Sequence, residues 1–114
     1  MRTTKQAKLL RLHFSEGDHY QGKPLYEAIV NRCKELKIAG ATVFRGLEGY
    51  GETAEIHRHH FARKDQPIVV TVVDTAENLA RLIAEVEEMM DTGMIATSDV
   101  EYIRIEKPLP DQSQ

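Results

Sequence analysis

"QPIVVTVVDTAENLARLIAEVEEMMDTG", residues 66–93, sets a proline-led apolar run directly before a capped amphipathic repeat. Residues 68–73, IVVTVV, are β-branched throughout and apolar at both parities, so they read as a strand buried on both faces and therefore central in a sheet. Asp74 and Thr75 are cap residues, and Glu77 stands three positions after Asp74 in a box-like arrangement. Leu79, Leu82, Ile83, Val86 and Met90 then fall on one helical stripe, which Gly93 ends. A central strand running straight into a helix is half of a β-α-β unit.

Working outward, a short loop at Ile95 to Asp99 precedes VEYIRI (100–105), which reads as a strand. Upstream, Ala41 to Leu47 has the β-branched and aromatic content of another. Before it, Leu25, Ala28, Ile29, Cys33 and Leu36 form a stripe at helical spacing, with Pro24 tolerated in the first turn and Gly40 available as a stop. Earlier still, a polar loop spans Asp18 to Lys23, and Leu10, Leu12 and Phe14 alternate with Arg11 and His13 as in a half-buried strand. The order β-α-β-β-α-β, with right-handed crossovers, predicts an α+β ferredoxin-like sandwich: a four-stranded antiparallel sheet with both helices on one face. Leu9 and Phe44 add apolar residues to the opposite face, which predicts that another subunit covers it.

The chain has 114 residues, the size of one domain, and the pattern bounds that domain at 8–106 with flexible termini at 1–7 and 107–114. Fifteen Lys plus Arg stand against 18 Asp plus Glu, a net charge of −3 with both signs scattered, which lacks the clustered basic surface of a nucleic-acid binder. Stacking aromatics for RNA are also missing from the middle strands. One cysteine excludes an intrachain disulfide, and the absence of a signal segment points to a cytoplasmic setting. No apolar stretch approaches the roughly 20 residues of a membrane helix, so membrane insertion is not expected.

The second strand leads into an 18-residue connection, Gly49 to Gln66, in a chain whose other loops are short. Loops that long are usually functional or disordered, and Tyr50, Ile56 and Phe61 favour an arm that orders on contact. Gly46, Gly49 and Gly51, flanked by Arg45 and Glu48, fit either a bulged strand end or a backbone cradle for a ligand. Their spacing and the lack of a following helix exclude the dinucleotide fingerprint. His57, His59 and His60 near Glu55 have metal-ligand chemistry, with His57 and His59 pointing the same way in an extended segment, or else form a solvated, partly cationic loop. Cys33 lies on the apolar helix stripe and reads as core, His13 points outward from the first strand, and His19 is either plain surface or pocket lining. No carboxylate pair or Ser-His set comes together from spacing, which argues against an enzyme; a small phosphate-ester or acyl-phosphate hydrolase is the residual catalytic alternative.

The strings "EGDHYQGKPLYEAIV" (16–30), "KIAGATVFRGLEGYG" (37–51), "EIH" (55–57) and "QPIVVTVVDTAENL" (66–79) resemble the domain of unknown function 190 family, over about Leu9 to Ile105. That family is similar in fold to the P-II signalling proteins, trimers that bind adenine nucleotides or other small effectors in clefts between subunits. The resemblance implies a homotrimeric, non-enzymatic regulator that requires no cofactor, takes an adenine nucleotide as effector and meets a protein partner through residues 49–66. It places nucleotide contacts at Arg45, Gly46, Glu48, Gly49, Tyr50 and Gly51, at Thr92 and Gly93 after the second helix, and at Arg104 on the last strand. P-II proteins are rich in glycine and lysine after that helix, whereas this chain has "TGMIATSDV" (92–100) with no lysine. That departure favours a monophosphate or other less charged ligand over a triphosphate. A metal-binding protein using His57 and His59 is the reading from a different class.

Overall fold

Four strands form one antiparallel sheet in the computed structural model, which describes residues 3–47 and 66–109. They are β1 (Thr3–Ser15), β4 (Thr42–Arg45), β5 (Pro67–Asp74) and β6 (Met94–Arg104), in the spatial order β4-β5-β1-β6. Helix α1 (Leu25–Glu35) and helix α2 (Ala76–Met89) supply the crossovers. This is the ferredoxin-like topology that the sequence predicts, with β5 central as its doubly apolar run requires.

Strand pairing decides which residues form the core. Val43, Val70, Leu12 and Ile95 align across the sheet, with the rows Ile68–Phe14 and Val72–Leu10 on either side. These alternate positions meet Leu25, Ile29 and Cys33 from α1 and Leu79, Leu82, Val86 and Met89 from α2 in one buried cluster. The intervening positions point the other way. Phe44, Val69, His13 and Met94 make one row of that second face, beside Val73 and Leu9. Phe44 and Met94 are more than half exposed, at 54% and 55%. The second face thus carries an apolar patch that no described element covers, beside the polar row Thr42, Thr71 and Arg11.

Both long strands exceed the sequence reading. β1 begins at Thr3, so residues 3–7 are strand rather than a loose terminus, and β6 begins at Met94, so Ile95 to Asp99 are strand rather than loop. Each extension pairs with the opposite long strand, Ile95 through Asp99 lying against Leu12 through Lys8. Thr3 through Ala7 pair with Arg104 through Val100, Gln6 Nε2 donates to Glu101 Oε2 at 3.1 Å, and Lys8 Nζ meets Asp99 Oδ1 at 2.8 Å. Cross-strand pairing overrides the low β-propensity of Ser98 and Asp99.

Three local features also differ from expectation. The loop after β1 contains a two-residue hairpin, β2 (His19–Tyr20) against β3 (Lys23–Pro24). Its turn residues, Gln21 and Gly22, both have positive φ (52° and 81°), the geometry whose twist suits a tight hairpin. Helix α1 stops at Glu35, before Gly40, because Lys37 takes the left-handed position (φ 60°). The N–H groups of Lys37 and Ile38 donate back to the carbonyls of Lys34 and Cys33 in a Schellman arrangement. Helix α2 is capped by Thr75, whose Oγ1 accepts from the Asn78 N–H at 3.1 Å, so the box-like pairing of Asp74 with Glu77 does not form.

Asp74 instead ties the two crossovers together. Its carboxylate accepts from the backbone N–H of Ala39 (2.9 Å), the backbone N–H of Thr75 (2.7 Å) and the side-chain amide of Asn78 (3.0 Å). Burial opposes the charge, but these three donors, with Arg81 nearby, outweigh it and hold the carboxyl below its ordinary value of 3.8. A depressed folded-state pKa contributes stability that is present above 3.8 and lost as pH falls through the folded value. Asp74→Asn is therefore expected to be less stable than the parent at pH 6, with the difference shrinking as pH drops below about 3.8. Urea unfolding at a series of pH values checks this, and a pH-independent difference would count against it.

Candidate ligand site at the strand ends

The connection that the sequence singles out leaves and rejoins the domain at one end of the sheet. β4 ends at Arg45, and the N–H of Gly46 donates to the Pro67 carbonyl at 2.8 Å. A Cβ on Gly46 would stand 2.7 Å from Pro67 Cγ, so close approach of the two chain segments requires glycine there. Packing within the chain thus accounts for Gly46.

Arg45 points its guanidinium at the turn after β1. Nε donates to Glu16 Oε1 at 2.7 Å and Nη2 donates to Glu16 Oε2, a two-pronged pair. These bonds to Glu16 raise the Arg45 pKa, with desolvation acting the other way. The Glu16 N–H also donates to the Gln66 carbonyl at 2.9 Å. One turn therefore grips the chain on both sides of segment 48–65. Sequence reasoning misses Glu16, because β1 and β4 are not neighbours in the sheet and no local pattern links the two residues.

Gly93 occupies the far corner of the same end. Its φ of 137° is a conformation that side chains disfavour, and a Cβ would meet the His13 carbonyl oxygen at 2.4 Å and Met90 Cε at 2.6 Å. The chain leaves α2 here and enters β6, where Met94 pairs with His13. Thr92 beside it is exposed.

The strand register also fixes spacing. Arg45, Ile68 and Phe14 stand in one row, and Gly93 falls next to Phe14, so Arg45 and Gly93 are separated by three strand spacings, about 14 Å. Arg104 is opposite Thr3, ten residues along β6 from Met94, which puts it about 30 Å from this end within one chain. It is exposed, 4.0 Å from Glu106. Glu48, Gly49, Tyr50 and Gly51 lie outside the described residues, as do His57, His59 and His60. Among the described residues no group of three or more His, Cys, Asp and Glu side chains is arranged to hold a metal ion. Cys33 is buried in the core, and burial pushes its thiol pKa up, which leaves it a packing residue. His19 is exposed, with Nδ1 2.7 Å from the Gly17 carbonyl oxygen.

The described helices include none long and apolar enough to cross a membrane. The fold is that of the PII-like proteins. The apo form of CPII from Thiomonas intermedia K12, a nitrogen regulatory PII-like protein, superposes with a TM-score of 0.65 at 14% identity, covering 92% of this chain and all of that one. CPII bound to ADP, AMP and acetate gives 0.60 at 17% identity, over 90% and 93% of the two chains. This chain belongs to the DUF190 family (uncharacterized ACR), whose model matches residues 7–102. A UPF0166 protein of Aquifex aeolicus is 41% identical over 105 residues, 90% of this chain and 98% of the relative.

Proposed function

We propose that this chain is a PII-like regulatory protein that binds an adenine nucleotide between the subunits of a homotrimer and signals through residues 49–66 to a protein partner. The shared fold with CPII, whose structures hold ADP and AMP, carries this reading. Arg45, Gly46 and the 48–51 segment form one wall of the cleft and Thr92 with Gly93 the other. Arg104 lies far from both in its own chain and comes from a neighbouring subunit, and the apolar second face around Phe44 and Met94 is what the subunits bury against one another. The nucleotide competes with Glu16 for Arg45, and that exchange alters the grip on segment 48–65. Ligand and loop are coupled because the nucleotide prefers the state in which Arg45 is released. The protein regulates rather than catalyses, and a cytoplasmic setting follows from that role.

Calorimetry with ADP and AMP, on protein whose mass is measured by light scattering, tests the reading. The expected result is a trimer that binds, with Arg45→Gln and Arg104→Gln each weakening affinity by tenfold or more. If each cleft takes Arg45 from one chain and Arg104 from another, mixed trimers of the two variants regain intact sites at roughly a quarter of positions. No nucleotide binding by the trimer, or no recovery on mixing, would overturn the respective parts.

A further inference from the structure

A cavity of about 460 Å³ lies away from the strand-end site, between the β2–β3 hairpin, the outer face of α1 and the last turn of α2. Its volume is within the range that small-molecule sites occupy. Tyr20, Lys23, Asn31, Arg32, Lys34 and Met89 contribute to its lining, so apolar surface and cations face one space. Arg32 is already committed: it pairs with Glu85 on α2 and, through Nε at 2.9 Å, with Glu35. Glu35 also lines the cavity, with its carboxylate held by Arg32, whereas Lys23 and Lys34 have no acidic partner within salt-bridge distance among the described residues, so both ammonium groups are available to an anion.

The hairpin that forms one wall is held in place. The Leu25 N–H donates to the Asp18 carbonyl at 2.8 Å, closing the hairpin onto the start of α1. Tyr20 packs against the core and its hydroxyl accepts from Gln21 Nε2 at 3.3 Å. Gln21 keeps a positive φ that a non-glycine residue adopts at a cost, the kind of local strain that clusters at binding sites.

We infer that this cavity binds a small organic anion, one carboxylate or phosphate group on an aromatic or aliphatic body. Lys23 and Lys34 meet the charge, and Tyr20 and Met89 meet the body. Met89 is the last residue of α2, four positions before Gly93, so a ligand seated here bears on the helix end that leads into the strand-end site.

Amide NMR spectra of the full chain, titrated with phenyl phosphate, benzoate and the neutral analogue phenol, test this at fixed ionic strength. Expected are saturable shifts at Tyr20, Gly22 and Asn31 with one or both anions, the stronger of the two identifying the head group, and much weaker shifts with phenol. Lys23→Gln with Lys34→Gln, both at exposed positions, is expected to weaken the response at least tenfold while leaving the melting temperature and ADP binding unchanged. Equal binding of phenol, shifts spread over remote lysines such as Lys5 and Lys37, or an unaffected double variant would overturn the inference. Because ADP binding is read separately, its failure and the failure of this site remain distinguishable.

Discussion

Leu82→Ala is expected to lower the unfolding free energy by about 3–4 kcal/mol, the middle of the range for deleting a large buried aliphatic side chain without full collapse of the cavity. Leu82 is fully buried and lies on the face of α2 that packs into the core cluster with Leu79 and Val86. Alanine is the best helix former, so the substitution carries no local penalty and the whole loss reports packing. The sheet behind it is a ladder of paired rows, and Leu10, Leu12 and Val70 are themselves fully buried, which leaves little freedom to move inward. For a domain of this size the loss is a large share of a total stability of about 5–15 kcal/mol. With a urea dependence of about 2 kcal/mol per molar, the midpoint falls by nearly 2 M. Glu87→Ala, on the exposed side of the same helix, is the control and should change stability by less than about 0.5 kcal/mol. A Leu82→Ala loss below about 1 kcal/mol would mean that α2 does not pack as described.

The core that this variant probes was legible because hydrophobic period is a local property. The 3.6-residue stripe from Leu79 to Val86 and the two-residue alternation from Leu10 to Phe14 each specify which face turns inward, whatever the distant neighbours are. β5 betrayed its central position through apolar residues at both parities, for the same reason. What local pattern does not encode is pairing. Thr3–Ala7 and Ile95–Asp99 look polar and loop-like singly, and become strand because the first lies against Val100–Arg104 and the second against Lys8–Leu12. Helix ends show a similar gap: Gly40 was the obvious stop, yet Lys37 accepts the left-handed position two residues after Glu35 and ends α1 earlier.

The candidate site divides along the same line. Arg45 and Gly46 were marked by their place between a strand and a long connection, and they do stand at the base of that connection. Their counterpart Glu16 was not marked, since a turn residue 29 positions away acquires meaning only when β1 and β4 finish at the same end of the sheet, with β5 between them. Arg104 shows the reverse case. Resemblance to P-II proteins groups it with Arg45, whereas the register of β6 puts it at the opposite end of the same chain. The cavity behind the β2–β3 hairpin had no sequence signal at all, because Lys23, Asn31 and Lys34 are ordinary surface residue types and only the hairpin's fold over α1 encloses them.

Gly93→Ala is expected to cost about 2–4 kcal/mol, through backbone strain of the order of 1–3 kcal/mol joined to a clash. Met90 Cε, 2.6 Å from the added Cβ, is the free end of a flexible side chain and can swing away. The His13 carbonyl, at 2.4 Å, cannot, because β1 is held between β5 and β6 from Lys8 to His13. Relief must therefore come from the loop, which pulls Met94 out of register with His13 and frays the start of β6. Gly40→Ala makes a contrasting pair: no positive φ is required there and nothing lies within 4 Å, so the change is expected to be neutral or to stabilise by up to about 1 kcal/mol through the unfolded chain. Hydrogen exchange should show the Gly93 variant losing protection first at Met94 to Ala96, with the core of β5 unaffected at the same denaturant concentration. If Thr92 and Gly93 form one wall of the nucleotide cleft, ADP affinity falls in the Gly93 variant even at temperatures where the trimer persists, while Gly40→Ala retains it. A Gly93→Ala protein with parental stability would contradict the packing of this corner, and one that frays but still binds ADP normally would remove the loop after α2 from the site.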